Sequence, residues 1–108
     1  MTKTIAIIGA SADRSKYGNK AVRAFKQGGW TVYPVNPRLG EVEGLKCYAS
    51  IADVPGPVDR VSMYVPARAG KAMLRDIAAR KPAEFFLNPG SEDPELIAEA
   101  QTLGLDPI

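Results

Sequence analysis

No histidine occurs among the 108 residues, so the commonest general base and the commonest metal ligand are both missing. The single cysteine, Cys47, cannot close an internal disulfide, which points to a reducing, cytoplasmic setting. No apolar run approaches the ~20 residues that span a bilayer, so a membrane is not an expected partner. Met1-Thr2-Lys3 leads straight into an apolar strand pattern, without the hydrophobic region of a signal peptide. Aromatic residues make up only 7%, and none interleaves with a basic stripe, so nucleic acid is not an expected partner either. Acid is scarce in residues 1–40, where Asp13 alone stands against seven basic side chains. Residues 41–108 reverse this, with eleven acids against seven bases. The first third is therefore a positive pole, open to an anionic ligand, although Lys20, Arg23 and Lys26 read equally well as a solvated helix face. The remaining composition, 45% hydrophobic and 24% charged, is that of one folded domain over residues 1–108.

Along the chain, short apolar runs alternate with helical patterns. Thr4 to Ile8 reads as a strand buried on both faces, closed by Gly9. Gly18 to Gln27 carries Ala21, Val22 and Phe25 at helical spacing and is stopped by Gly28-Gly29. Trp30 to Val35 is a second strand, edge-like because of Pro34. Residues 38–49 read as loop, and residues 50–54 as at most a short helix. Val58 to Val65 holds a third strand, residues 67–80 a helix, and Glu84 to Leu87 a fourth strand. Asp93-Pro94-Glu95 starts a last helix with a capping acid and proline at its first position. Leu105 to Ile108 is expected to begin a fifth strand. The alternation predicts an α/β fold: a parallel sheet of about five strands with both faces covered. In such sheets ligands bind beyond the carboxyl ends of the strands, so the four strand-end corners are the candidate site.

At the first corner, Gly9, Ala10 and Ser11 are small enough for backbone N–H groups to approach a phosphate, at the positive end of the following helix. Arg14 and Lys16 add cations. The dinucleotide fingerprint is not met, because no third glycine stands at its spacing. At the second corner, where an NAD-binding fold places an acid, Asn36-Pro37-Arg38 stands instead. Arginine attracts a phosphate on the ribose, which points to coenzyme A or NADP. At the third corner, Tyr64-Val65-Pro66 offers one wall of an adenine slot, and Asn88-Pro89-Gly90 lines the crevice from the fourth. Each corner alone also reads as a plain turn or strand end.

Together, Ile8-Gly9-Ala10-Ser11 with Arg14 and Lys16, Val35-Asn36-Pro37-Arg38, Tyr64-Val65-Pro66-Ala67 and Leu87-Asn88-Pro89-Gly90-Ser91 resemble the small CoA-binding protein family. They also resemble the CoA-binding domain at the start of the succinyl-CoA synthetase α subunit. The resemblance implies a single Rossmann-like three-layer domain. It also implies the pyrophosphate of coenzyme A at Gly9 to Arg14, adenine near Tyr64 to Pro66, and the adenosine phosphates near Asn36 to Arg38. The synthetase works through a phosphorylated histidine on a separate domain; this chain has neither, so ligase activity does not carry over. Family members usually continue past the equivalent of Asp106-Pro107-Ile108. A chain cut short is expected to leave the last strand, and any ligand contact from it, incomplete.

Cys47 is the only candidate nucleophile, and it has no base beside it. No spacing of cysteines and acids forms a metal site. The expectation is a non-catalytic module binding coenzyme A or an acyl-CoA. The alternatives are an NADP-binding oxidoreductase fragment and a protein-interaction scaffold with a vestigial nucleotide site.

Overall fold

Thr4–Ile8 (β1) is central: Ile5, Ala6, Ile7 and Ile8 are sealed from solvent on both faces of the sheet. The computed structural model describes residues 3–108. Helix α1 (Tyr17–Gln27) leads to β2 (Thr31–Val35). A small hairpin follows, β3 (Glu41–Val42) and β4 (Leu45–Lys46), then a 3₁₀ turn at Ile51–Asp53. The chain continues through β5 (Arg60–Met63), α2 (Ala67–Ala79), β6 (Glu84–Leu87) and α3 (Pro94–Thr102). The main sheet is parallel, in the order β2-β1-β5-β6. Its switch point therefore lies between β1 and β5, where the connections leave in opposite directions.

The period-2 alternation of β1 builds two cores. Ala6 and Ile8 join Val61, Met63 and Phe85 beneath Leu74 and Ile77 of α2 and Leu96 and Ala100 of α3. Ile5 and Ile7 join Val32 beneath Ala21 and Val22 of α1. Each buried isoleucine contributes about 1.5–3 kcal/mol. Helices flank the sheet on both faces, as the sequence had implied, with α1 on the second. Helix α1 packs on β1 and β2. Beside them β5 and β6 carry the Arg60–Glu84 ion pair at 2.9 Å. The Arg60 guanidinium lies 4.7 Å from the Phe86 ring centre and 4.9 Å from that of Trp30. In Arg60-Val61-Ser62-Met63 only alternate residues are apolar, so the polar pair and its aromatic neighbours share one face of these strands.

Two expectations are corrected. The sheet has four strands, not about five. The anticipated fifth is reduced to a bridge of Pro107 to Phe85, flanked by hydrogen bonds between Ile108 and both Phe85 and Leu87; proline has no N–H to extend a ladder. Residues 38–49 are not only loop but hold the β3–β4 hairpin. Its turn residues Glu43 and Gly44 both take positive φ, 49° and 79°, as the favoured two-residue hairpin turn requires. Proline in β2 was read as an edge signal, and β2 is an edge strand.

Candidate ligand-binding site

Beyond β1 the chain turns at Gly9, whose φ is +88°. A Cβ there would stand 2.9 Å from Val65 Cγ1 and 3.1 Å from the Tyr64 carbonyl carbon. The first and third corners thus touch at the switch point, and glycine makes that approach possible. Gly18, in the first turn of α1, is tighter still, since a Cβ would lie 2.2 Å from the Gly9 carbonyl oxygen. The sequence showed no third glycine at the fingerprint spacing. Gly18, at a longer spacing, nevertheless seats the helix directly on the strand end.

The backbone donors differ from expectation. The N–H groups of Gly9 and Ala10 both donate to the Val35 carbonyl, at 3.0 and 3.2 Å. They hold β1 against β2 and are not free for a phosphate. Donors for a ligand begin further along, toward the start of α1. There Lys16, in extended conformation, occupies the capping position without a side-chain cap. The first N–H groups of α1 are therefore left to whatever anion approaches. At the second corner, Asn36 Nδ2 donates to the Ala10 carbonyl at 2.9 Å, and Asn36 Oδ1 accepts from the Arg38 N–H at 2.8 Å. At the fourth corner, Asn88 Nδ2 donates to Ser62 Oγ and the Met63 carbonyl, both at 2.9 Å. The buried Ser91 hydroxyl donates to the carbonyls of Met63 and Val65. Both asparagines pin loops.

A polar network fixes the first corner from behind. Asn19 is fully buried. Its Nδ2 donates to the Ser11 carbonyl at 2.8 Å and to Glu43 Oε2 at 3.1 Å, while its Oδ1 accepts from Arg23 Nε at 2.8 Å. Arg23 also donates to the Arg14 carbonyl, and Lys26 Nζ to the Glu43 carbonyl at 2.7 Å. Arg14 Nε lies 3.7 Å from Glu43 Oε2. Glu43, at the hairpin turn, thus holds two of the basic residues of the positive pole, Arg14 and Lys26, while Arg23 is held through Asn19 and the Arg14 carbonyl.

A cleft of about 1010 Å³ opens between α1 and the corners after β1, β5 and β6. Gly9, Ala10, Ser11, Lys16, Asn36, Tyr64, Val65, Pro66 and Asn88 line it. Arg14, Pro37 and Arg38 do not; this corrects the expectation that both arginines form the cationic rim. Arg14 turns to Glu43, and Pro37 and Arg38 are exposed beyond Asn36. The cations on the wall are Lys16 and Lys20, and α1 adds Tyr17, Gly18, Ala21, Ala24 and Phe25. These form two adjacent rows at i, i+4 spacing. From Lys16 to Phe25 they run about 13 Å down the helix, changing from cationic to small and apolar. The spacing carried that signal, but the sequence did not show which flank of the helix stays open.

Cys47 lies outside the cleft and is buried; desolvation pushes its thiol pKa up, so it remains protonated at neutral pH. In the loop itself the Asp13 carboxylate accepts hydrogen bonds from the Ser15 hydroxyl and N–H, which hold its pKa below the usual value. Among the described residues, no helix is long and apolar enough to cross a membrane.

A family model described as a CoA binding domain matches residues 3–108. The chain belongs to this CoA-binding domain family. It is 38% identical over 101 residues to the ADP-forming acetate–CoA ligase II of Archaeoglobus fulgidus, a match covering 90% of this chain but 15% of the ligase. The family member thus spans a small fraction of the curated ligases it matches. Its fold superposes on a conserved hypothetical protein from Pyrococcus furiosus with a TM-score of 0.87 at 31% identity, covering 99% of this chain and 91% of that one. An acetyl-coenzyme A synthetase 1 of Ca. Korarchaeum cryptofilum gives 0.85 at 31% identity, covering 98% of this chain and 25% of the synthetase.

Proposed function

We propose that this CoA-binding domain holds coenzyme A or an acyl-CoA in the α1 cleft and performs no chemistry on it, in a cytoplasmic setting. One observation carries the reading: the uncapped start of α1, Lys16 and Lys20 lie at one end of a cleft whose remaining wall is mostly apolar. A pyrophosphate is stabilised at that end by the helix dipole and by the Lys16 ammonium, one turn from the second cation, Lys20. Tyr64, Val65 and Pro66 give an apolar surface for the adenine. The volume is at the upper end of the range for small-molecule sites. The cleft therefore fits a cofactor of this size and polarity. Bound, coenzyme A would supply a thiol for acyl carriage. The one thiol of the protein is buried elsewhere and protonated, so it offers no acyl acceptor.

Titration calorimetry with CoA, dephospho-CoA and NADP tests this. CoA is expected to bind more tightly than either, with an affinity that falls as salt is added. NADP binding as tightly as CoA would favour a dinucleotide site, and no binding of CoA would overturn the reading.

A further inference from the structure

Tyr17 is 75% exposed although it lines the cleft. The other seven aromatics of the chain are at least half withdrawn from solvent, four of them packed edge to face in pairs. Its ring is not bare: Lys20, one turn on, places its ammonium 5.1 Å from the ring centre. The same cleft is lined by Tyr64, Val65 and Pro66 from the strand end after β5, which give an adenine slot one wall. A slot for a flat base requires a second. Arg38 was expected to read a phosphate on the ribose but lies outside the cleft, whereas Lys20 lies on its wall.

We infer that Tyr17 and Lys20 form the second wall, with the ring stacking on the adenine and the ammonium meeting the phosphate on its ribose. The chemistry matches in pairs. A flat ring beside a cation is the complement of a flat base beside an anion, and both partners lie on one helical turn. A nucleotide lacking that phosphate leaves Lys20 without a counter-ion. A ligand lacking the base leaves the Tyr17 ring in water. The inference rests on the CoA reading and names the residues that give it specificity.

The test uses the whole protein with CoA and dephospho-CoA as probes. Tyr17→Ala is expected to weaken CoA about tenfold, the usual effect of removing a base–aromatic stack, with affinity restored by Tyr17→Phe. Tyr17→Trp is expected to add fluorescence that CoA quenches beyond any change seen at Trp30 in the parent protein. Lys20→Ala is expected to remove most of the preference for CoA over dephospho-CoA. If the parent binds CoA but Tyr17→Trp is not quenched and Tyr17→Ala binds like the parent, the inference is overturned and the CoA reading survives. A preference that collapses on Arg38→Ala but not on Lys20→Ala also overturns it. Failure of the parent to bind CoA removes both.

Discussion

The two flanks of α1 have similar compositions and opposite fates. On one flank Asn19, Arg23 and Lys26 face the β3–β4 hairpin, and every one of them bonds to Ser11, Arg14 or Glu43. On the other, Lys16 and Lys20 face the cleft with no salt-bridge partner among the described residues. The difference comes from the hairpin and the loop before α1, which supply acceptors to one flank only. Glu43 follows α1 by sixteen residues in the chain and folds back so that its carboxylate meets Asn19 and its carbonyl meets Lys26, while Arg23 is held by Asn19 and the Arg14 carbonyl. A cation on a helix is open to a ligand only where the fold supplies its side chain no acceptor, so counting lysines and arginines along the chain overstates the site.

The severest way to break the comparison is to lift the helix that carries both flanks. Gly18→Ala puts a methyl group 2.2 Å from the Gly9 carbonyl oxygen, where backbone must move. The expected cost is about 3 kcal/mol, the upper part of the range for overpacking, together with loss of CoA binding. Urea denaturation and calorimetry check both. Stability near that of the parent would mean that α1 does not need its close seat on β1.

Much of this architecture was legible in advance. Apolar runs of strand length separated by helical spacing predicted the three helices and four main strands to within a few residues, because burial on a sheet imposes those periods. Glycine and proline marked the corners after β1, β2, β5 and β6 because backbone geometry there admits little else. The roles of the polar residues were not legible. Nothing local tells Asn19 that Ser11 and Glu43 will converge on it, and strands of two residues leave no period for a hairpin to be read from. Arg14 looked like a ligand residue because its partner lies 29 positions away. Proline at 107 was visible, yet its effect depended on whether a ladder hydrogen bond was needed there.

A milder pair of substitutions separates the flanks. Asn19→Ala removes the buried amide that satisfies Ser11, Glu43 and Arg23, and is expected to cost about 1–3 kcal/mol. Lys16→Ala removes a cation that the fold leaves free. It is expected to leave stability within about 0.5 kcal/mol of the parent and to weaken CoA about tenfold. Arg14→Ala, breaking a long and mostly exposed pair, should change binding less than Lys16→Ala does. Parallel denaturation and calorimetry on the three variants read this out. Equal losses of affinity in Arg14→Ala and Lys16→Ala would mean that both flanks serve the ligand.

The smallest effect sharpens the contrast between helix starts. Helix α1 begins without a side-chain cap, whereas α3 begins with Asp93, whose carboxylate accepts the Leu96 N–H at 3.0 Å. That hydrogen bond, reinforced by Lys71 at 3.4 Å, holds the Asp93 pKa below its ordinary value of 3.8. A carboxylate with a depressed folded pKa stabilises the native state above its unfolded pKa and loses that contribution as the pH falls through the folded value. Asp93→Asn keeps a capping oxygen and removes the charge, so at neutral pH it should melt a few degrees below the parent. The gap should close as the pH drops below about 4. Melting temperatures across an acid series decide it: a gap unchanged in acid would mean that the charge at the start of α3 contributes nothing. No such acid-sensitive capping is expected at α1, whose start carries no capping carboxylate.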